Sequence, residues 1–174
     1  MANTYYLIAS STVGSSSISS FSFSSIPATY TDLVVKASTR CDGAVIDVLG
    51  ALRFNNDAGS NYQDIEIYGN GSSANSTSHS TSFSYVINTT GTSATSNTFG
   101  NSEIYIPNYT SSNYKSFSND STPETNGSTF TSGQALLAGL WKSTSAINSI
   151  TFFPGGGYNF VQYSTFYLYG IKNS

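Results

Sequence analysis

The stretch Asn159-Phe160-Val161-Gln162-Tyr163-Ser164-Thr165-Phe166-Tyr167-Leu168-Tyr169-Gly170-Ile171 decides the fold. It is aromatic and β-branched, holds no Pro, and meets no Gly before Gly170, so it reads as a strand. Gly155-Gly156-Gly157 leads the chain into it, and only Lys172-Asn173-Ser174 follows. A strand this apolar belongs inside a sheet, because a solvated terminus cannot hide it. One parity carries Phe160, Gln162, Ser164, Phe166 and Leu168, of which Phe166 and Leu168 read as core. The other carries Val161, Tyr163, Thr165, Tyr167, Tyr169 and Ile171. Its three tyrosine rings present roughly 150 Å² each, about 450 Å² together. That is the size at which exposed apolar surface on a monomer calls for a cover. Tyr163, Tyr167 and Tyr169 are therefore the expected subunit interface.

Composition supports a β-rich chain. The 174 residues make one domain, 1–174, large enough to bury a sizeable core. Charged residues are 9% of the chain, where about 25% is usual. Low charge combined with 13 Tyr and 11 Phe suits strands whose wet faces are tiled with Ser, Thr and Asn. The net charge of -3 and the scatter of Lys36, Arg40, Arg53, Lys115, Lys142 and Lys172 leave no footprint for nucleic acid or an anionic membrane. No apolar run approaches the length of a membrane span. The N-terminus lacks the basic and apolar regions of a secretory signal, so the expected origin is a cytoplasm. Cys41 is the only cysteine, which excludes an intrachain disulfide.

Along the chain, Tyr5 to Ala9 and Ile18 to Phe23 read as a hairpin around a Ser-rich turn from Ser10 to Ser17. Leu33, Val35 and Ala37 alternate with wetter residues, as do Leu52 and Phe54. Ile65 and Ile67 alternate against Asp64, Glu66 and Tyr68, with the acids read as outward. Residues 70 to 81 and 88 to 100 read as polar loops, and 119 to 128 as turn-rich. Leu136, Leu137, Leu140 and Trp141 fit a helix face, but Gly139 and the β-context favour a strand. Nine to eleven short strands with regular turn signals predict a sandwich or barrel.

Chemistry-bearing constellations are sparse. His79 sits in a Ser-rich stretch with no His, Cys or carboxylate near it in sequence, and reads as inert. A glycosidase needs two carboxylates facing each other across a cleft, whereas Asp64 and Glu66 read as ordinary surface acids. Asn55-Asn56-Asp57-Ala58-Gly59-Ser60-Asn61 faintly resembles a calcium loop but lacks the carboxylate density, and a turn is the better reading. Asn-x-Ser/Thr occurs at Asn70, Asn75, Asn88, Asn108, Asn119 and Asn126, as chance allows in so polar a chain. Trp141 reads as core and Cys41 as a packed or turn residue. No catalytic residue, metal ligand or cofactor is expected. Tyr on a Ser/Thr/Asn scaffold suits sugar stacking as well as a subunit contact. Asn108, Tyr109 and Tyr114, with the 70–81 loop, are the expected glycan or partner contacts.

Five segments together resemble small virion proteins of tailed phages, common in phages of cyanobacteria and other aquatic bacteria. They are Ser25-Ile26-Pro27-Ala28-Thr29-Tyr30-Thr31-Asp32-Leu33, Leu52-Arg53-Phe54-Asn55, Tyr68-Gly69-Asn70-Gly71-Ser72, Ile104-Tyr105-Ile106-Pro107-Asn108-Tyr109 and Ser164-Thr165-Phe166-Tyr167-Leu168-Tyr169-Gly170-Ile171. The resemblance implies an all-β, antiparallel, jelly-roll-like sandwich and a non-enzymatic place in the virion, assembled in the host cytoplasm. It implies a head decoration (cement) protein, a homotrimer that clamps the major capsid protein. The alternative is a receptor- or host-glycan-binding module of a tail or fibre.

Overall fold

The computed structural model describes residues 4–69, 72–123 and 133–172; Asn70, Glu124 and Asn126 lie outside the described residues. Twelve strands are present: β1 (Tyr5–Thr12), β2 (Phe21–Phe23), β3 (Asp32–Thr39), β4 (Asp47–Phe54), β5 (Tyr62–Gly69), β6 (Ala74–Thr81), β7 (Ser84–Thr90), β8 (Gly100–Ile106), β9 (Lys115–Thr122), β10 (Ala135–Trp141), β11 (Ile150–Pro154) and β12 (Thr165–Ile171). Gly155–Gly157 forms one 3₁₀ turn. The strands make two antiparallel sheets, β1-β12-β3-β8-β9-β10-β5-β6 and β2-β11-β4-β7.

Eight of the strands form a long hairpin rolled on itself. β1 pairs with β12, β2 with β11, β3 with β8 and β4 with β7. The roll closes where β12 meets β3 and β11 meets β4. This is jelly-roll connectivity. The remaining strands are two hairpins, β5–β6 inserted between β4 and β7, and β9–β10 inserted between β8 and β11. They dock in the order β9, β10, β5, β6 onto the flank of β8, doubling one sheet from four strands to eight.

The core sits between the sheets. Phe166 and Leu168 are fully buried, as their parity predicts. The Phe166 ring stacks on Phe21 at 4.4 Å and on Phe152 at 5.7 Å, with Phe160 edge-on at 5.1 Å. Such pairs add about 0.5–1.5 kcal/mol each beyond area burial. A second cluster joins Phe54, Tyr62, Phe117 and Trp141. Glycines make room for the Phe117 ring and for Tyr30, a half-buried ring packed against the core. A Cβ on Gly139 would lie 2.2 Å from the Phe117 ring, and one on Gly170 would lie 2.3 Å from the Tyr30 ring. Both glycines stand inside strands, so residues 135–141 form a strand and β12 continues past Gly170.

Several local expectations are corrected. β1 and β2 form no hairpin; they lie in different sheets, and β1 runs through the Ser-rich stretch to Thr12. The opening stretch is not one strand. Phe160 makes isolated bridges to Ile18 and Cys41, the chain turns, and β12 starts at Thr165. Polar segments expected as loops or turns hold β6, the end of β7 and the second half of β9. Ladder hydrogen bonds to a neighbouring strand order Ser, Thr and Asn there, although their intrinsic preference is for turns.

Candidate functional site

The outer face of the eight-stranded sheet carries the surface that the fold leaves uncovered. Two lateral rows cross it, fixed by the strand register. One row reads Leu7, Tyr169, Val34, Tyr105, Ser118, Ala138, Ile65, Ser78 from β1 to β6. The next reads Ser10, Tyr167, Lys36, Glu103, Asp120, Leu136, Ile67, Ser76. The face is thus aromatic over β1, β12 and β8, polar over β9, aliphatic over β10 and β5, and hydroxylated at the β6 edge. Among the described residues, every strongly exposed large apolar side chain except Tyr114 and Tyr163 belongs to this face.

At the aromatic end, Tyr167 and Tyr169 stack at 6.5 Å and Tyr5 meets Tyr169 edge-on at 6.3 Å. Val34 lies on the outer face between Tyr169 and Tyr105, yet is only 1% exposed. Lys36 Nζ lies 2.8 Å from Glu103 Oε2, and that hydrogen bond raises the lysine pKa. Both side chains are half exposed, so the pair adds little stability. The Tyr105 hydroxyl donates to Asp32 Oδ2 at 2.9 Å; burial first, then this acid, raises its pKa.

The aliphatic end reverses the expectation for β5. Ile65 and Ile67 are 62% and 55% exposed, while Asp64 and Glu66 are 2% and 6% exposed. A one-residue shift of parity exchanges the two faces of a strand, and Tyr62 sets the parity here. Its ring is fully buried against Phe54 and Trp141, and its hydroxyl receives the Phe54 N–H at 2.9 Å. Tyr62 inward forces Asp64 and Glu66 inward and both isoleucines out.

Buried acids need partners. Asp64 accepts from Ser84 Oγ at 2.6 Å and from the Tyr85 N–H at 3.3 Å, and its other oxygen lies 2.7 Å from His79 Nδ1. His79 is therefore not an inert loop residue: it stands on β6 directly opposite Asp64, with Tyr85 edge-on at 5.0 Å. Ser84 and His79 both address the carboxylate. The imidazole does not stand between hydroxyl and acid, as activation of a serine nucleophile requires. Burial raises the Glu66 pKa, with His79 opposing and Asp64 reinforcing the shift.

The expected site residues fall in separate places. Tyr167 and Tyr169 share the outer face, but Tyr163 sits in the turn before β12 at φ 72°, its N–H bonded to the Val13 carbonyl at 3.0 Å. Left-handed backbone, unfavourable for a Tyr, ended the strand parity on which the trio rested. Tyr109 is fully buried and its hydroxyl donates to the Pro27 carbonyl, so it is a core residue and no glycan platform. Asn108 is exposed beside it at φ 49°, its N–H held by Asp32 Oδ1 at 2.9 Å, and Tyr114 is exposed apart from the sheet face. Trp141 is core, as expected, and its indole N–H donates to Asp57 Oδ2 at 2.7 Å. Asn61 and the Gly59 N–H occupy the same carboxylate. Burial pushes the Asp57 pKa up, but these donors hold it below the ordinary value. Residues 55–61 thus form a turn closed on its own carboxylate. Among the described residues no group of three or more His, Cys, Asp or Glu could hold a metal ion.

Small side chains on β9 leave a trough of about 820 Å³ between the aromatic and aliphatic ends, lined among others by Tyr105, Glu103, Asp120, Gln134, Leu136 and Ile65. Neither Leu136 nor the isoleucines were flagged by the sequence as site residues. The signal lay in Tyr62, two positions before Asp64. No family model, curated protein or solved structure matches this chain.

Proposed function

We propose that this chain is a non-enzymatic structural protein of a phage virion, a head decoration protein that lays the outer face of its long sheet against the major capsid protein. The exposed patch of Leu136, Ile65 and Ile67, set against the tyrosines at the other end, carries the reading. Branched aliphatic side chains in a contiguous patch gain about 25 cal/mol per Å² when covered by protein. The polar middle of the face supplies directional contacts and a register. Jelly rolls serve both capsid and lectin domains, so the fold is compatible with this role by analogy alone. A decoration protein acts by mass action: bound only to the assembled shell, it stabilises that state.

A second reading, a glycan-binding module of a tail or fibre, is favoured by the trough, whose volume lies within the range of ligand sites and whose wall offers Tyr105 with acids and amides. Immunogold labelling of intact particles of the source phage separates the two. Gold over the head supports decoration; gold at the tail tip transfers the trough to a glycan screen. Unlabelled particles, with the epitope accessible, would remove the chain from the virion altogether.

A further inference from the structure

β6 is a free sheet edge without the devices that keep such edges apart. Native edges are blunted by shortness, bulges, prolines or charges. β2, at one edge of the small sheet, has three residues. β7, at the other, packs against β8, β9 and β5. β1 carries a bulge between Leu7 and Ala9. β6 instead pairs with β5 over eight residues in unbroken register. Its sequence, Ala-Asn-Ser-Thr-Ser-His-Ser-Thr, contains no Pro, Lys, Arg, Asp or Glu. Among the described residues, no backbone-to-backbone hydrogen bond joins β6 to anything but β5.

We infer that β6 pairs antiparallel with β6 of a second copy of this chain, about a two-fold axis normal to the sheet. A strand that meets itself antiparallel makes an isologous, closed contact. The lack of charge matters most for a self-contact, because any lysine or acid would be repeated across the axis. Parity narrows the geometry. Directly opposed residues share a face, and here Ser76, Ser78 and Ser80 face outward while Asn75, Thr77, His79 and Thr81 face inward. Even positions must therefore oppose even ones. Only two registers then pair seven of the eight residues, one centred on Thr77 and one on Ser78. The first sets Asn75 opposite His79 of the copy, the second Thr77 opposite His79. Neither sets His79 against itself.

The result is one continuous sheet from two copies, with both aliphatic patches on the same side. Two weak contacts with any common partner then act as one bivalent contact. The pairing itself does not depend on the virion reading.

Sedimentation equilibrium of the full chain, from micromolar to sub-millimolar concentration, tests it. A monomer–dimer equilibrium is expected, and Ser78→Lys weakens it by about tenfold or more, with the circular dichroism spectrum and melting temperature kept. Thr77→Cys and Ser78→Cys give an independent readout. Only at the axis do two copies of one residue come within disulfide reach, so one of the two variants, and not the other, forms a covalent dimer on mild oxidation. Cys41 is fully buried and takes no part. A monomer at all concentrations, a trimer, a dimer indifferent to Ser78→Lys, or crosslinking by neither cysteine would each overturn the inference. None of these outcomes decides where gold binds on the particle.

Discussion

The jelly-roll half of the long sheet and its inserted half differ in what they bury and in what they display. Over β1, β12, β3 and β8 the inward face is apolar, with Leu33, Val35, Ile104, Ile106, Phe166 and Leu168 fully buried, and the outer face is aromatic. Over β9, β10, β5 and β6 the interior mixes Tyr62, Phe117, Leu137 and Trp141 with Asp64, Glu66, Lys115, Asn119 and Ser121, while Ile65, Ile67 and Leu136 face out. Asn88 Oδ1, Ser102 Oγ and Asn119 Oδ1 are buried at the junction without a hydrogen-bond partner among the described residues. Each such atom costs about 1–3 kcal/mol. One of the three, Asn119, belongs to the inserted half, which also hides acids and displays aliphatics. The jelly-roll ladder closes without these hairpins, so what they add is the second aromatic cluster beneath the sheet and the surface above it.

The contrast can be broken most severely at its strong end. Ending the chain at Asn159 removes β12 from between β1 and β3 and is expected to leave insoluble protein; a soluble, cooperatively melting product would contradict the core assignment. Phe166→Ala in the full chain should cost about 4 kcal/mol in urea unfolding. Asp64→Ala, in the inserted half, strands Ser84 and the Tyr85 N–H and should cost about 2–3 kcal/mol. If Asp64→Ala proved neutral, the polar interior would not be holding β5 and β6 to β7.

Glu66 sharpens the comparison through pH. Its pKa in the folded protein is raised above the ordinary value, so its contribution to stability is fully present below the unfolded pKa. That contribution is lost as pH rises through the folded pKa. Glu66→Gln should flatten this fall, read as melting temperature against pH for the two proteins; parallel curves would place Glu66 in water. The smallest effect on folding belongs to Ile65→Ser with Ile67→Ser. Each should change stability by no more than about 0.5 kcal/mol, while cosedimentation with capsids is lost.

Where packing alone decided orientation, the sequence was readable. Phe166 and Leu168 announced the core through an aromatic strand with a two-residue period, and the sandwich followed from strand number and turn spacing. Parity failed on β5 because two isoleucines outweigh two acids in any count of hydrophobicity. The true determinant, the Tyr62 ring against Trp141, joins residues far apart in the chain. Tyr163 and Tyr109 failed for related reasons. A left-handed residue ended one strand early, and the carbonyl of Pro27 claimed the other hydroxyl. The β6 strand was hidden because its order comes from β5, not from its own side chains.

The pairing of Tyr5 with Ile171 has a consequence for how the molecule is made. β1 takes its place only against β12, which is synthesised much later. At ribosomal speeds that is a delay on the order of ten seconds, during which β1 and the flank of β3 have no neighbour. The contact between Tyr5 and Tyr169 spans the same interval, so the aromatic end of the outer face is complete only once β12 has been made. A chain stopped before β12 would lack Tyr167 and Tyr169, and with them the stacked pair at that end of the face.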